Sequence, residues 1–515
     1  MALTVSSANP RYFQDAGGNL VYLVGWYDNF SPQSGGDWPA TLSAISTYEL
    51  NCVRLWVRHH VEKTPNTFTA AGGGTFDLTV PNPAYLAALR SACVDLNALG
   101  AYATVMFWQG WSLIDNGWGN GFLLCPFKSS LNINGINGDW YNADSYGLEV
   151  DEVYGHTATS LTGAGAAELA IRTVQRGYIR AVIDTLNDLD NIIWEVSNED
   201  RFTNPNKIFQ EWVANEIRTY EAGKAKQHPV GITATYNDTA EVNTWLRTTS
   251  ADWIAVTKGE GYDTIPVVNT SGKVVLTDTD HIWGNLTTIT YDWVWKTALR
   301  GNHPLLLAYG TRVQASAMAA LKHTRQYLNR LTLAYATPSS TGYSLTRPGR
   351  EYLCYQPTDG PFTQTMLEGH YVAEWFNPTT GNVIQTTTYT ASTGNNTLTP
   401  PFSGPAVCLL TRREDTVAYA TGTFAWNYAH SGGEYPAEYH LKYGAAPGVV
   451  SGQATTPYGN VVKSVSSVLP TDGLWFTKIY AYNTSYGEFA NATELMVQAL
   501  GAAISQGVLA MSLHP

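Results

Sequence analysis

Apolar residues in the first two thirds of the chain gather in short continuous runs, each bounded by polar or Gly/Pro-rich stretches. Eight runs can be read: 20–30 (LVYLVGWYDNF), 51–60, 102–111, 191–200, 229–236, 251–257, 273–281 and 303–310. Runs of this kind describe strands buried on both faces. Helix-like stretches lie between them. AAELAIRTVQRGYIRAVIDTLNDL (166–189) and KIFQEWVANEIRTYEAG (207–223) space their apolar residues three and four apart, and PAYLAALRSACVDLNALG precedes the third run. Repeated β-then-α units predict an α/β fold, a (β/α)8 or TIM barrel, in a first domain covering 1–345.

Past 345 the helical periodicity disappears. Short strands alternate with Gly, Pro and Asn turns over 346–414, which predicts a small β-sandwich, and a second all-β sandwich module is expected over 415–497. The last stretch, 498–515, is apolar and nearly uncharged. It reads either as a disordered end or as a segment that docks on a partner subunit, so a homo-oligomer or assembly contact is expected through the β-modules and this tail.

Active sites of (β/α)8 barrels lie at the C-terminal ends of the strands. Here the runs do end in polar and aromatic residues: Trp26, His59 and His60, Trp108 and Trp111, Asn198 and Glu199, Tyr236, Asp278, Asp280 and His281. Strands four and seven stand on opposite sides of an eight-stranded ring. Glu199 and either Asp280 or Asp278 therefore form a pair of carboxylates facing across the mouth, the minimum kit for glycoside hydrolysis. Asn198 beside Glu199 is placed to bond a sugar hydroxyl. Glu195 lies deeper and is expected to be structural, and Asp200 to cap the following helix. A lone Trp packs a core more often than it meets a ligand. Trp108, Trp111, Trp118 and Trp283 together at a strand end and on rim loops favour stacking against sugar faces.

Composition narrows the partners. Charged residues make up only 14% of the chain while aromatics reach 12%, and the net charge is −12 with no basic run. That excludes nucleic-acid binding through phosphates and favours a largely neutral poly- or oligosaccharide. No apolar stretch is long enough to span a membrane. Five cysteines without CxxC or Cys/His spacing argue against a disulfide scaffold and a structural zinc site. Cys354 and Cys408, on two predicted strands of one module, could pair, but buried free thiols are expected. Asp278, Asp280 and His281 are metal-ligand types without further ligands at familiar spacing, so neither metal nor cofactor is expected. The opening MALTVSSANPRYF has no basic or apolar leader character. The expectation is a chain that is secreted after losing a leader or that leaves its cell by another route.

LDNIIWEVSNED resembles the fourth strand of the clan of glycoside hydrolases typified by family 5 cellulases. In that clan an Asn-Glu pair ends this strand and the Glu is the acid/base, which implies the same for Glu199. Arg54 in NCVRLW matches the clan's second-strand arginine, implied to contact the nucleophile. NPRYFQDAGGNLVYLVG, EWFNPTTGNV and TLTPPFSGPAVCLL resemble a narrower group of bacterial glycoside hydrolases whose barrel is followed by a C-terminal domain labelled collagen-binding. YHLKYG and FTKIYAYNTSYGE are similar to fibronectin type III. The clan ends strand seven with Glu, whereas this chain offers Asp278 and Asp280. Strand alignment favours Asp278 and the narrower group's pattern favours Asp280 with His281; Asp280 is preferred.

The resemblance and the strand ends together imply a glycosidase cleaving a largely neutral β-linked glycan, with Glu199 as acid/base and Asp280 or Asp278 as nucleophile or base, extracellular in location. The second reading, from the Asp in place of Glu and the absent leader, is a catalytically reduced glycan-binding or virion structural protein on the same barrel.

Overall fold

The computed structural model describes residues 2–28, 32–34, 37–114, 121–140, 149–235, 237–283, 289–307, 315–339 and 342–413, and strands alone beyond 413. Eight parallel strands close into a barrel: β1 (Gly25–Asp28), β2 (Cys52–Leu55), β3 (Tyr102–Gln109), β4 (Ile192–Asn198), β5 (Val230–Thr233), β6 (Trp253–Ala255), β7 (Val274–Asp278) and β8 (His303–Leu307). Each lies inside one of the eight apolar runs. The ring closes by pairing Gly25, Trp26 and Tyr27 of β1 with Leu305, Leu306 and Leu307 of β8.

Alternation along the strands splits the apolar residues between two cores. Cys52, Ile193, Trp253, Ala255, Val274, Leu276 and Leu305 fill the barrel interior together with Leu3, Phe13 and Leu23 from the amino-terminal segment. Val53, Ala103, Val105, Ile192, Trp194, Ile232, Ile254, Val275 and Leu306 point outward into a larger core shared with the helices. Gly231 is required inside, because a Cβ there would meet the Trp253 indole at 1.8 Å.

The helices follow from their caps and stripes. Asn82 caps Pro83–Ala98, with Pro at the first helical turn. Ala166–Leu186 buries a stripe of Ile171, Val174, Tyr178, Ile179, Val182 and Ile183. Asn204–Glu221 is capped by Thr203, whose side chain accepts from the Asn206 N–H. Asp200 is therefore not the cap; it is buried, and its carboxylate accepts a 2.7 Å bond from Ser197 Oγ. Ala240–Thr248 follows β5, a single turn Gly259–Gly261 follows β6, Thr279–Trp283 and Tyr291–Leu299 follow β7, and Ala315–Leu328 follows β8. Among the described residues no helix is long and apolar enough to cross a membrane.

A six-stranded sheet follows, in the order Thr337–Pro338, Tyr343–Arg347, Glu351–Gln356, Ala406–Arg412, Gly369–Asn377, Asn382–Ala391, with a separate pair Phe362–Met366 and Gly394–Leu398. Its first strand lies upstream of 346, inside the stretch read as barrel, and its second runs across that position. Cys354 and Cys408 stand directly opposite each other in this sheet, and all five cysteines are buried and free. Beyond 413, Thr421–Tyr428 pairs with Lys463–Val468, and Glu438–Gly444 with Gly452–Pro457 and Gly473–Asn483. The apolar end contributes a strand of its own, Leu509–Leu513, which pairs in parallel with Thr421–Tyr428. The tail is thus not wholly irregular.

Candidate active site

One cation organises the mouth of the barrel. Arg54, at the third position of β2, is 1% exposed and points inward. Its Nε and Nη2 grip both oxygens of Glu195 on β4, Nη1 pairs with Asp278 at the end of β7, and Nη2 also donates to Asn198 Oδ1 at 2.6 Å. A guanidinium has donors in a planar fork and no acceptor, so it fixes three side chains from two strands at once. Arg54 and Asp278 are scaffold, fully enclosed. The contact that the resemblance implies between Arg54 and the nucleophile thus falls on Asp278, and the enclosure of Asp278 counts against it as the catalytic carboxylate.

Asp280 and Glu199 are the half-buried carboxylates of the cluster. Asp280 stands two residues past the end of β7, in the turn Thr279–Trp283, with its backbone N–H donating to Asp278 Oδ1 at 2.9 Å and its carboxylate accepting from Tyr27 Oη at 3.2 Å. Starting beyond the strand end gives the shorter Asp the reach that a Glu has from the strand itself. Glu199 holds φ +50°, a left-handed conformation that side chains rarely adopt, at the point where β4 ends. One oxygen of Glu199, one of Asp280 and one nitrogen of His281 all lie within 4.8 Å of one another. These three are a donor set of the kind that holds a divalent ion, but His281 Nε2 is already committed to Asn198 Oδ1 at 2.6 Å.

Four carboxylates surround a single guanidinium, and the electrostatics follow. Burial and then Asp280 push Glu199 well above the usual carboxylate range. Burial and then the neighbouring Asp278 push Asp280 up to about 7. Burial raises Glu195 and Asp278 as well, opposed in both by Arg54. Burial holds His281 well below its ordinary value, hence neutral. Burial and mutual repulsion thus raise the proton affinity of both mouth carboxylates, which interact and titrate as a pair.

The remaining residues singled out from the sequence divide sharply. Trp108 is fully buried against His59, Tyr154 and Tyr178, a core residue and not a sugar platform. His59 is spent between Thr67 Oγ1 and the Phe107 carbonyl, and His60 on the Ser112 carbonyl; both are structural. Trp26 is one residue out of phase with the inward Tyr27 and packs against the outer core. His281 is only 4% exposed and touches Asn198, so it too is no direct sugar contact. Trp111 is half-buried at the rim, stacked on Trp56 at 6.3 Å and covered by the Arg58 guanidinium. Asn198 directs its Nδ2 to Gln109 Oε1 at 2.8 Å and to Glu199 Oε2 at 3.3 Å. Trp118, Tyr236 and the side chain of Trp283 lie outside the described residues. Tyr27, next to the end of β1, and Gln109, the last residue of β3, join the site; the sequence places both at strand ends without giving either a role there.

Neither a protein-family model nor any curated protein matches the chain. Solved structures do. A glycoside hydrolase family 5 structure from Bacteroides vulgatus superposes with a TM-score of 0.56 at 14% identity, over 80% of this chain and 93% of that one. A second candidate glycoside hydrolase of the same organism gives 0.53 at 12% identity, over 80% and 82%. Likeness at this identity establishes the fold: the chain folds as a (β/α)8 barrel followed by β-structure.

Proposed function

We propose that this protein is a glycoside hydrolase acting on a largely neutral β-linked glycan, with Glu199 as general acid/base and Asp280 as nucleophile. The observation that carries the reading is the approach of the Glu199 and Asp280 oxygens to within 4.8 Å at the end of strands on opposite sides of the ring. Retaining glycosidases hold their carboxyl groups ~5–5.5 Å apart and inverting ones ~6.5–9.5 Å, the wider gap leaving room for a water. With one oxygen of each group inside 4.8 Å, retention is the outcome proposed. An ionised Asp280 oxygen attacks the anomeric carbon as the glycosidic C–O bond breaks. Its electron pair goes to the leaving oxygen, which takes the proton of Glu199. Water then adds at the anomeric carbon as Glu199 removes its proton and Asp280 leaves.

Glu199 and Asp280 keep part of their surface open while Glu195 and Asp278 are fully buried, which argues against a barrel that binds without turnover. Incubation with plant, algal and bacterial polysaccharides tests the reading, with product configuration followed by proton NMR. The β-anomer is expected to appear first. Glu199→Gln is expected to abolish turnover while leaving the thermal unfolding transition within a few degrees. Unchanged turnover in that variant sinks the assignment.

A further inference from the structure

The orientation of the Asn198 amide can be read without ambiguity, and it has a consequence for Glu199. Arg54 can only donate, so the Asn198 atom 2.6 Å from its Nη2 is the carbonyl oxygen. His281 Nε2 lies 2.6 Å from that same oxygen and must therefore bear a hydrogen. The amide nitrogen then faces the other way, with one hydrogen on Gln109 Oε1 and the other toward Glu199 Oε2. A carboxylic acid that accepts at Oε2 carries its own proton on Oε1.

We infer that His281, acting through the Asn198 amide, is a positioning residue that selects the Glu199 oxygen from which the leaving group is protonated, with Gln109 holding the amide from the other side. If His281 is lost, one of the two donors on Oδ1 goes, leaving Arg54 alone on that oxygen and Gln109 on the amide nitrogen. Glu199 then loses the bond that keeps its proton on one oxygen. Histidine suits the task because its buried ring stays neutral and keeps a single Nε2–H. A Lys would add a second cation beside Arg54, and a carboxylate would reverse the bond. The inference rests on the assignment of Glu199 as the acid, and its test separates the two.

The experiment compares kcat/KM for 2,4-dinitrophenyl and phenyl β-glycosides (glucosyl, mannosyl, galactosyl and cellobiosyl) in the wild type, His281→Ala, His281→Gln and Gln109→Met. A dinitrophenolate leaves without protonation, whereas phenolate needs the acid. General acid catalysis contributes ~10²–10⁴-fold. His281→Ala is expected to lose about 10²-fold or more on the phenyl glycoside and less than ~5-fold on the dinitrophenyl one. His281→Gln, which keeps an N–H donor, should recover most of the loss, and Gln109→Met should show the same asymmetry more weakly. Equal losses on both leaving groups, or a Gln variant no better than Ala, overturn the inference while leaving the glycosidase assignment standing. If His281→Ala does not fold, His281→Gln and Gln109→Met decide by the same comparison. A wild type inert on every glycoside overturns both.

Discussion

Tyr27 and Asp278 act on Asp280 with opposite sign, and each can be removed almost isosterically. Asp278 raises the proton affinity of Asp280 through its charge, while the Tyr27 hydroxyl lowers it by donating to the carboxylate. An attacking Asp280 must be ionised, so activity rises with pH through its titration, from a midpoint of about 7. Asp278→Asn removes the charge and keeps one of the two acceptors, since Arg54 Nη1 and the Asp280 N–H bond different oxygens of Asp278. The acidic limb of kcat/KM against pH is expected to move to lower pH in Asp278→Asn and to higher pH in Tyr27→Phe. Two limbs moving together, or neither moving, would remove Asp280 from the role of nucleophile. Because the two carboxyls interact, the limbs report the pair and not one residue alone. The pairing of Glu199 with an Asp on strand seven was legible in the sequence, since strand ends on opposite sides of a ring must converge. Which aromatics and histidines share that space was not. At a strand end, one residue decides between mouth and outer layer, and Trp26 and Trp108 fell on the wrong side of that choice.

At the scale of elements, the end of β4 and the start of the turn after β3 are built as one piece. Gly110 follows β3, and a Cβ there would lie 2.5 Å from Asp200 Oδ1, 2.6 Å from the Glu199 carbonyl and 2.7 Å from Asp200 Cα. Two of those atoms are backbone, which cannot swing aside as a long side chain can. The close approach lets Glu199 sit at φ +50° with its N–H on the Ala234 carbonyl at 3.2 Å, so the strained residue is bound from β5 and backed from β3. Gly110→Ala is expected to destabilise the fold by about 1–3 kcal/mol, the usual cost of overpacking. Its effect on turnover should be larger, at least 10²-fold, because misplacing a catalytic group by about 1 Å costs that much. Urea unfolding and kcat measured on the same preparation check the two figures. A variant that loses stability but keeps its rate would show that the Glu199 backbone is free to relax. The eight strands could be placed from apolar runs because a buried parallel strand has little use for polar residues. The left-handed turn left no mark, since Asn-Glu-Asp is an ordinary polar string and the glycine that permits it lies 89 residues earlier in the chain.

For the molecule as a whole, the amino-terminal segment is part of the barrel's closure, and His303 is the group that links them. His303 opens β8, the strand that closes the ring against β1. Its Nδ1 accepts the Leu23 N–H at 2.9 Å and its Nε2 donates to the Arg11 carbonyl at 2.8 Å, with Tyr12 and Tyr22 packed on the ring. The accepting Nδ1 requires the neutral imidazole, and burial lowers its pKa from 6.5 to about 4. A base depressed in the folded state contributes stability that is present above the unfolded value of 6.5 and is lost as pH falls toward 4. Between those limits the unfolded chain binds the extra proton, and each pH unit costs up to about 1.4 kcal/mol. At pH 5 the loss from this one group is therefore about 2 kcal/mol relative to pH 7.5. His303→Gln offers a carbonyl to Leu23 and an N–H to Arg11 without titrating. The variant is expected to be less stable than the wild type at pH 7.5, where it loses the ring contacts with the two tyrosines. That deficit should shrink by about 2 kcal/mol at pH 5, as read from urea unfolding at both pH values. His59 and His156 are also depressed by burial and remain in both proteins, so the difference between variant and wild type isolates His303 from the rest of the acid response. A deficit that stays constant with pH would mean that the seam opens to water before the chain unfolds. The amino-terminal segment would then be a cover laid over the barrel and not a part of its closure.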